Sequence, residues 1–323
     1  MPADHEPDGT RDGGRPPPGA GTGGADDVGA FEQWRPLLFG IAYRMLGSAG
    51  DAEDMVQETY LRWLQRRERD ITSVRAYLVT ILTRLCIDQL ASARVQRERY
   101  SGPWLPEPVA TDDTEAVEQS DSLSLAFLVL LEELTPPERA AYLLHDVFGY
   151  QFDEVAGLMG RSDTSCRQLA SRARRSIEDR RQRFDSDRRH AQDLTRRFVV
   201  ACGSGDMGGL LAMLADDVVV WTDGGGRVRA AMRPVVGPHR SSRFLANVGK
   251  KFHAMPREVV LNNQPAVVFV DEDHVVGTLS IDVMDGKVAA VRVVTNPEKL
   301  GHLQGLFAGG SGPVGSAGAG PRS

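Results

Sequence analysis

The stretch LTPPERAAYLLHDVFGYQFDEVAGLMGRSDTSCRQLASRARRSI, from Leu134 to Ile177, decides how the rest of the chain is read. Thr135 suits an N-cap, Pro136 a first helical position, and Glu138 stands where it can complete a capping box. That helix is expected to reach about Phe148 and stop at Gly149. Phe152, Val155, Ala156 and Met159 then recur at the spacing of one helical face. Gly160 can take the positive φ of a sharp turn, and Ser162 can cap the next helix. In that last helix Cys166, Leu169, Ala170, Ala173 and Ile177 share the apolar face, while Arg167, Gln168, Ser171, Arg172, Arg174 and Arg175 share the other. From Arg161 to Arg183 eight arginines stand against three acids, a local charge of +5. Helix, glycine turn and basic helix form the helix-turn-helix pattern, whose second helix enters the major groove of DNA.

Working outward, a chain of 323 residues suggests about two domains of ordinary size. With 41% hydrophobic and 25% charged residues it should fold around packed cores. The net charge of −6 argues against bulk attraction to nucleic acid, so the positive helices matter for being local exceptions. Cations are overwhelmingly Arg, with Lys only at 250, 251, 287 and 299. Cys86, Cys166 and Cys202 lie far apart in helical patterns and read as buried reduced thiols. No apolar run approaches the roughly 20 residues of a membrane span, and the N-terminus lacks a signal peptide's apolar core. A cytoplasmic protein without membrane contact is expected.

Residues 1–28, rich in Gly and Pro, read as a disordered tail, and so does the Gly/Pro/Ser/Ala-rich end, 306–323. Phe31 to Leu46 reads as one helix with Pro36 in its first turn. Asp51-Ala-Glu-Asp-Met-Val-Gln-Glu-Thr-Tyr-Leu-Arg-Trp63 reads as a second, capped by Asp51. Its buried stripe is Met55, Val56, Thr59, Tyr60 and Trp63, which leaves Asp54, Gln57, Glu58 and Arg62 outward. A third helix, about Val74 to Arg97, ends in a basic run.

Asp51 to Trp63 resembles the region-2 signature of sigma-70 family sigma factors of the extracytoplasmic-function (ECF) class, departing mainly by Tyr60 for Phe. Asp88 and Arg94 fit the segment after it in that family, and Ser171-Arg-Ala-Arg-Arg175 fits the end of region 4. The resemblance implies two all-α modules, 29–99 and 121–184, and two partners, core RNA polymerase and promoter DNA. It implies polymerase docking through Asp51, Asp54, Gln57, Glu58 and Arg62, and −10 recognition through Arg84, Asp88, Gln89, Arg94 and Arg97. In region 4, Arg167, Gln168, Ser171 and Arg172 would read −35 bases, while Arg174 and Arg175 would neutralise phosphates.

Between the modules, 100–120 reads as an extended linker around Trp104-Leu105-Pro106-Glu107-Pro108, with Trp104 as a large apolar anchor. From 185 to 305 two helical stretches, near 191–202 and 207–214, precede β-branched runs at 218–221, 228–231, 259–261, 266–270, 275–283 and 288–294, with a further helical stretch at 234–252. Such an order gives an α+β domain with a curved antiparallel sheet, and it resembles the SnoaL-like (NTF2-like) fold that a subgroup of ECF sigma factors carries. Asp223-Gly224-Gly225-Gly226-Arg227 and Asn296-Pro297-Glu298-Lys299-Leu300 match that subgroup as well, which implies a role with the linker in regulating the sigma core in cis. By itself the Asp-Gly pair reads as a hairpin turn. Asp223, His253 and Asp282 are groups that could move a proton, but no nucleophile, phosphate loop or metal spacing accompanies them. The expectation is therefore a non-enzymatic sigma factor without cofactor or metal. Its alternatives are a one-component helix-turn-helix regulator with a ligand-sensing pocket and a cyclase-like enzyme. A separate anti-sigma protein and a small-molecule ligand both stay open.

Overall fold

A computed structural model describes residues 23–66, 71–97, 100–111, 121–181 and 188–307. It begins with α1 (Gly23–Glu32), α2 (Arg35–Leu46), α3 (Ala49–Leu64) and α4 (Val74–Arg97). The expected helix from Phe31 is thus divided, because α2 starts at Arg35, where Pro36 needs no N–H partner. Part of the expected tail is helical, since α1 starts at Gly23. Contacts from elsewhere order it: the Trp63 indole donates to the Asp27 carbonyl at 2.9 Å, and buried Phe31 lies 4.8 Å from the Tyr60 ring. The cap of α3 is Ser48, whose hydroxyl accepts from the Asp51 N–H at 3.1 Å. Asp51 instead sits in the first turn, where its charge suits the helix dipole.

Next come α5 (Leu125–Leu131), α6 (Pro136–Tyr142), a π-helical turn (Leu143–Val147), α7 (Phe152–Met159) and α8 (Asp163–Arg181). The Glu138 carboxylate accepts from the Thr135 N–H, Gly160 takes φ +63, and the Ser162 hydroxyl accepts from the Ser165 N–H. Cys166, Ala170, Ala173 and Ile177 are buried, which turns the arginines of α8 outward. The two helical modules share one apolar core, running from Phe31 through Leu78 and Val155 to Ile177. In it α4 packs against both α6 and α7. Polar contacts reinforce the join: buried Arg139 of α6 donates to the Met45 carbonyl of α2 at 2.6 Å, and Arg75 of α4 donates to the Tyr150 hydroxyl at 2.9 Å.

The C-terminal domain runs α9 (Arg188–Ser204), α10 (Met207–Met213), β1 (Leu214–Asp223), β2 (Val235–Val236), α11 (Pro238–Gly249), β3 (Met255–Leu261), β4 (Gln264–Asp271), β5 (His274–Met284), β6 (Lys287–Val294) and α12 (Gly301–Phe307). One sheet holds the strands in the order β2-β1-β6-β5-β4-β3. From β3 to β6 it is the expected antiparallel meander, but β1 joins β6 in parallel, so the sheet is mixed. The run 228–231 forms no strand; Thr222 ties it down by accepting from the Ala231 N–H at 2.8 Å. Helices α9, α10 and α11 cover one sheet face through Phe198, Leu210 and Leu245 against Leu279, Ile281 and Val291. The other face presents Val268 and Val294, by the two-residue alternation, and Val275, brought there by the register shift between β4 and β5 at Phe269/Val270; these receive Leu105 of the linker with Leu300, Leu303 and Phe307. Phe307 is buried there, so the domain outlasts its expected end at 305. All three cysteines are free and buried.

Candidate functional site

Three outward surfaces and one buried clamp collect the residues singled out by sequence. On α3, Asp54, Gln57 and Arg62 are exposed and Asp51 and Glu58 half-buried, with Arg62 donating to Glu58 at 2.9 Å. The same side carries two residues that the sequence reading missed: Leu61 and Leu64, 43% and 46% exposed. Their signal is an apolar residue off the buried stripe. A charged rim around exposed leucines is a surface fit for a protein partner.

On α4, Arg84 and Asp88 are exposed and Gln89 half-buried. The side chains of Arg94 and Arg97 lie outside the described residues. Arg84 reaches Gly160, the turn before the recognition helix, so the two candidate DNA readers are neighbours.

On α8 a groove of about 370 Å³ is lined by Thr164, Arg167, Gln168, Ser171, Arg172 and Arg175. Arg167 donates to Asp163 at 2.5 Å and stacks 4.5 Å from Phe152, which orients its guanidinium along the helix. Arg175 reaches the Ser171 hydroxyl at 3.2 Å. Arg174 departs from expectation. It donates to Asp146 at 2.5 Å, tying α8 to the turn after α6, so a phosphate contact would first require breaking that pair.

The linker is no exposed tether, and 105–109 is buried throughout. Its backbone groups are matched almost one by one, as burial requires. Leu105 N–H donates to Asp223 at 2.9 Å, and the Lys299 ammonium donates to the Leu105 carbonyl. Glu107 N–H donates to the Gly47 carbonyl at 2.8 Å, and the Tyr43 hydroxyl donates to the Glu107 carbonyl at 2.5 Å. Val109 exchanges two bonds with Asn262, at 2.8 and 3.1 Å, and Ala110 bridges Leu261 at the sheet edge. Pro106 and Pro108 fall between these donors, where no N–H is wanted.

Two carboxylates fasten the segment. Glu107 faces the sigma side: its Oε2 accepts from the Ala49 N–H at 2.7 Å and from the Ser48 hydroxyl at 3.1 Å, at the positive end of α3. Its Oε1 meets His302 Nδ1 of α12 at 2.8 Å, and His302 Nε2 faces the Pro108 carbonyl. Burial opposes the charge of Glu107, yet the His302 contact and the amides of Ala49 and Gly50 hold its carboxyl below the usual glutamate range. Asp223 faces the C-terminal side and is fully buried. It accepts from the Tyr100 hydroxyl at 2.5 Å, from Leu105 and Gly225 N–H, and from Lys299 at 2.7 Å. Burial first, then Asp223, push the Tyr100 hydroxyl above its ordinary range.

Around this pair the remaining motif residues find their places. Lys299 stacks 4.2 Å from the Trp104 ring, half-buried Trp104 rests on Gly47, and Asn296 donates to the Tyr100 hydroxyl at 2.9 Å. The side chain of Asn296 also caps the turn Pro297–Lys299. Gly225, at φ +61, lies so close to Asn296 that a Cβ would overlap it; the loop makes the turn its Asp-Gly pair suggests, Arg227 N–H donating to the Gly224 carbonyl at 2.9 Å, but no strand follows it directly and its glycines lie against Asn296 and Ser101. Gly226 faces Ser101, Gly224 backs onto Val228, Leu300 joins Leu105 in the core, and exposed Glu298 pairs with Arg227 at 2.7 Å. Tyr43, Tyr100, Asn262 and His302 escaped the sequence reading, since each is an isolated residue whose partner lies more than 60 positions away.

The candidate proton-moving groups do not converge. Asp223 is committed to the linker, Asp282 to a buried pair with Arg292, and His253 is exposed on a loop. Among the described residues no group of three His, Cys, Asp or Glu could hold a metal, and no helix is long and apolar enough to cross a membrane.

Residues 30–95 match the family model for sigma-70 region 2, and residues 124–177 match that for sigma-70 region 4. The chain is similar to the ECF RNA polymerase sigma factor SigJ of Mycobacterium tuberculosis, 35% identical over 85% of this chain and 93% of that protein. It is also similar to the probable ECF sigma factor SigI of the same organism, 32% identical over 87% of this chain and 97% of that protein. A crystal structure of SigJ superposes with a TM-score of 0.69 over 85% of this chain and 98% of that one, at 34% identity. With both regions present in order and relatives matched almost end to end, this chain belongs to the ECF class of sigma-70 family RNA polymerase sigma factors.

Proposed function

We propose that this protein docks on core RNA polymerase through α3, reads the −10 promoter element with α4 and the −35 element with α8, and directs initiation there. Its C-terminal domain regulates those steps in cis by strapping the linker, acting as a regulatory module and not as a catalyst. The observation that carries this reading is the shared core. Helices α4, α7 and α8 are successive neighbours, and at 8–10 Å per packed pair the two readers stand about 20 Å apart. The −35 and −10 elements are separated by about 25 base pairs, roughly 85 Å at 3.4 Å per step. The closed form cannot span them, so promoter binding requires α4 to leave α6 and α7. Domains held at one core by an anchored linker resist that separation.

Reconstitution with core polymerase tests the reading. Promoter-specific transcripts should appear only when the protein is added. The regulatory part fails if Trp104→Ala and truncation after residue 204 both leave transcript yield unchanged.

A further inference from the structure

Away from the promoter-reading helices, the chain carries a second concentration of positive charge. Between Gly224 and Arg257 stand eight Lys or Arg and no Asp or Glu, in a chain of net charge −6. Arg227 is paired with Glu298. The other seven are exposed, and none has an ion pair among the described residues. Helix α11 aligns several of them. Its Ser241, Ser242, Leu245 and Ala246 are buried toward α9, α10 and β1, whereas Arg240, Arg243, Asn247 and Lys250 recur every three or four residues on the outer side. Lys250 lies across Gly205 in the turn between α9 and α10, a place any side chain at 205 would take from it. Like charges so spaced destabilise a helix by a few tenths of a kcal/mol per pair. Lys250 and Lys251 suit the C-terminal end of the α11 dipole, but Arg240 and Arg243 in its first turns oppose it, so the fold does not account for the stripe as a whole.

We propose that the outer face of α11 binds the DNA phosphate backbone beside the promoter element held by α8. The inference rests on the promoter reading proposed for α4 and α8. Six residues separate Arg181 at the end of α8 from Arg188 at the start of α9, a reach of about 20 Å, so the domain stays close to the duplex that α8 engages. From Arg240 to Lys250 the stripe is about 15 Å long, and Arg229 and Arg233 before it and Lys251 and Arg257 after it extend the charge. An extended, regularly charged polyanion suits such a stripe. A protein partner would want aromatic or aliphatic anchors; on the outer side of α11 itself Val248 alone is an exposed aliphatic, and Met232, Val236 and Met255 are scattered over the flanking segments among the cations. Phosphates need only charge on mobile side chains.

The test is salt-dependent promoter binding by the reconstituted holoenzyme, with wild type and the variant Arg240→Gln/Arg243→Gln/Lys250→Gln/Lys251→Gln. All four side chains are exposed, and an unchanged melting temperature checks the fold. Two promoter fragments are compared, one carrying duplex upstream of the −35 element and one ending at it. On the longer fragment the variant's log K against log [salt] slope should be shallower by about two to four, near 0.9 per lost phosphate contact. On the shorter fragment the two proteins should coincide. Equal slopes on the longer fragment overturn the proposal. Equal losses on both fragments also overturn it and point to an acidic surface of polymerase. If wild type shows no promoter-specific binding even to the longer fragment, the promoter reading itself falls, and this inference with it.

Discussion

Asp223 at the end of β1 and Lys299 before α12 meet 2.7 Å apart, their side chains 0% and 11% exposed, and between them they hold both backbone groups of Leu105. Removing one partner of a buried pair leaves a charge without compensation, which costs about 3–5 kcal/mol. Lys299→Met should therefore loosen the linker and raise transcript yield per polymerase. Amide hydrogen exchange at Leu105 reads the first effect, and promoter-specific transcription reads the second. Protection and yield both at wild-type level would remove this pair from the mechanism.

Tyr43 links three segments: it donates to the Glu107 carbonyl and accepts from Asn262 Nδ2 at 2.6 Å. Tyr43→Phe keeps the ring and strands two buried polar groups, for a loss of about 1–3 kcal/mol. Paired with Asn262→Ala in a double-mutant cycle, it should show a coupling of about 0.5–3 kcal/mol in unfolding free energy. Strict additivity would mean that sigma core and C-terminal domain are not energetically joined there.

The lowered Glu107 carboxyl makes a pH prediction. A carboxylate whose folded value is depressed stabilises the fold above its ordinary value of 4.5, and that stabilisation fades as pH falls through the lowered folded value. The stability difference between wild type and Glu107→Gln should therefore shrink as pH falls below about 4.5. Denaturant midpoints across that range measure it. A difference that grows toward low pH would contradict the assignment.

On α8, exposed Arg172 and ion-paired Arg174 should separate. Arg172→Ala should cost about 1–3 kcal/mol at one base pair of the −35 element and relax preference there. Arg174→Ala breaks a half-exposed pair, so its effect on base preference should be small. Binding to a panel of singly substituted promoters distinguishes them, and equal relaxation by both would show that Arg174 reads a base.

The α3 surface gives a further contrast. Leu61→Ser and Leu64→Ser remove exposed apolar area, so stability should change by no more than about 0.5 kcal/mol. Competition for core polymerase should nonetheless weaken at least tenfold for the double variant. Unchanged competition would move the docking face elsewhere.

What the sequence made legible was local. The capping of α6, the turn at Gly160 and the apolar stripes of α3 and α8 depend on residues within one or two helical turns, and their positions in the fold match the sequence pattern closely. Misses arose where a distant partner decides. Helix α1 is ordered because Trp63 and Tyr60 of α3 meet its Asp27 and Phe31, and Ser48 displaces Asp51 as the cap. The parallel seam of β1 with β6 joins segments about 70 residues apart, beyond the range of any strand pattern. The motifs at 104–108, 223–227 and 296–300 were visible as strings, but their convergence on Asp223 was not. Trp104, expected as the apolar anchor of an extended linker, marks the edge of a buried one.

In the proposed mechanism the C-terminal domain holds the two promoter readers together. Energy transfer between dyes at Glu53→Cys and Glu178→Cys measures it most directly, since all three native cysteines are buried and both chosen positions are exposed. Transfer should be high in the free protein, fall on adding core polymerase and promoter, and fall without either in the Lys299→Met background. Transfer that stays high in the Lys299→Met background, or that stays high in the active promoter complex, would contradict it.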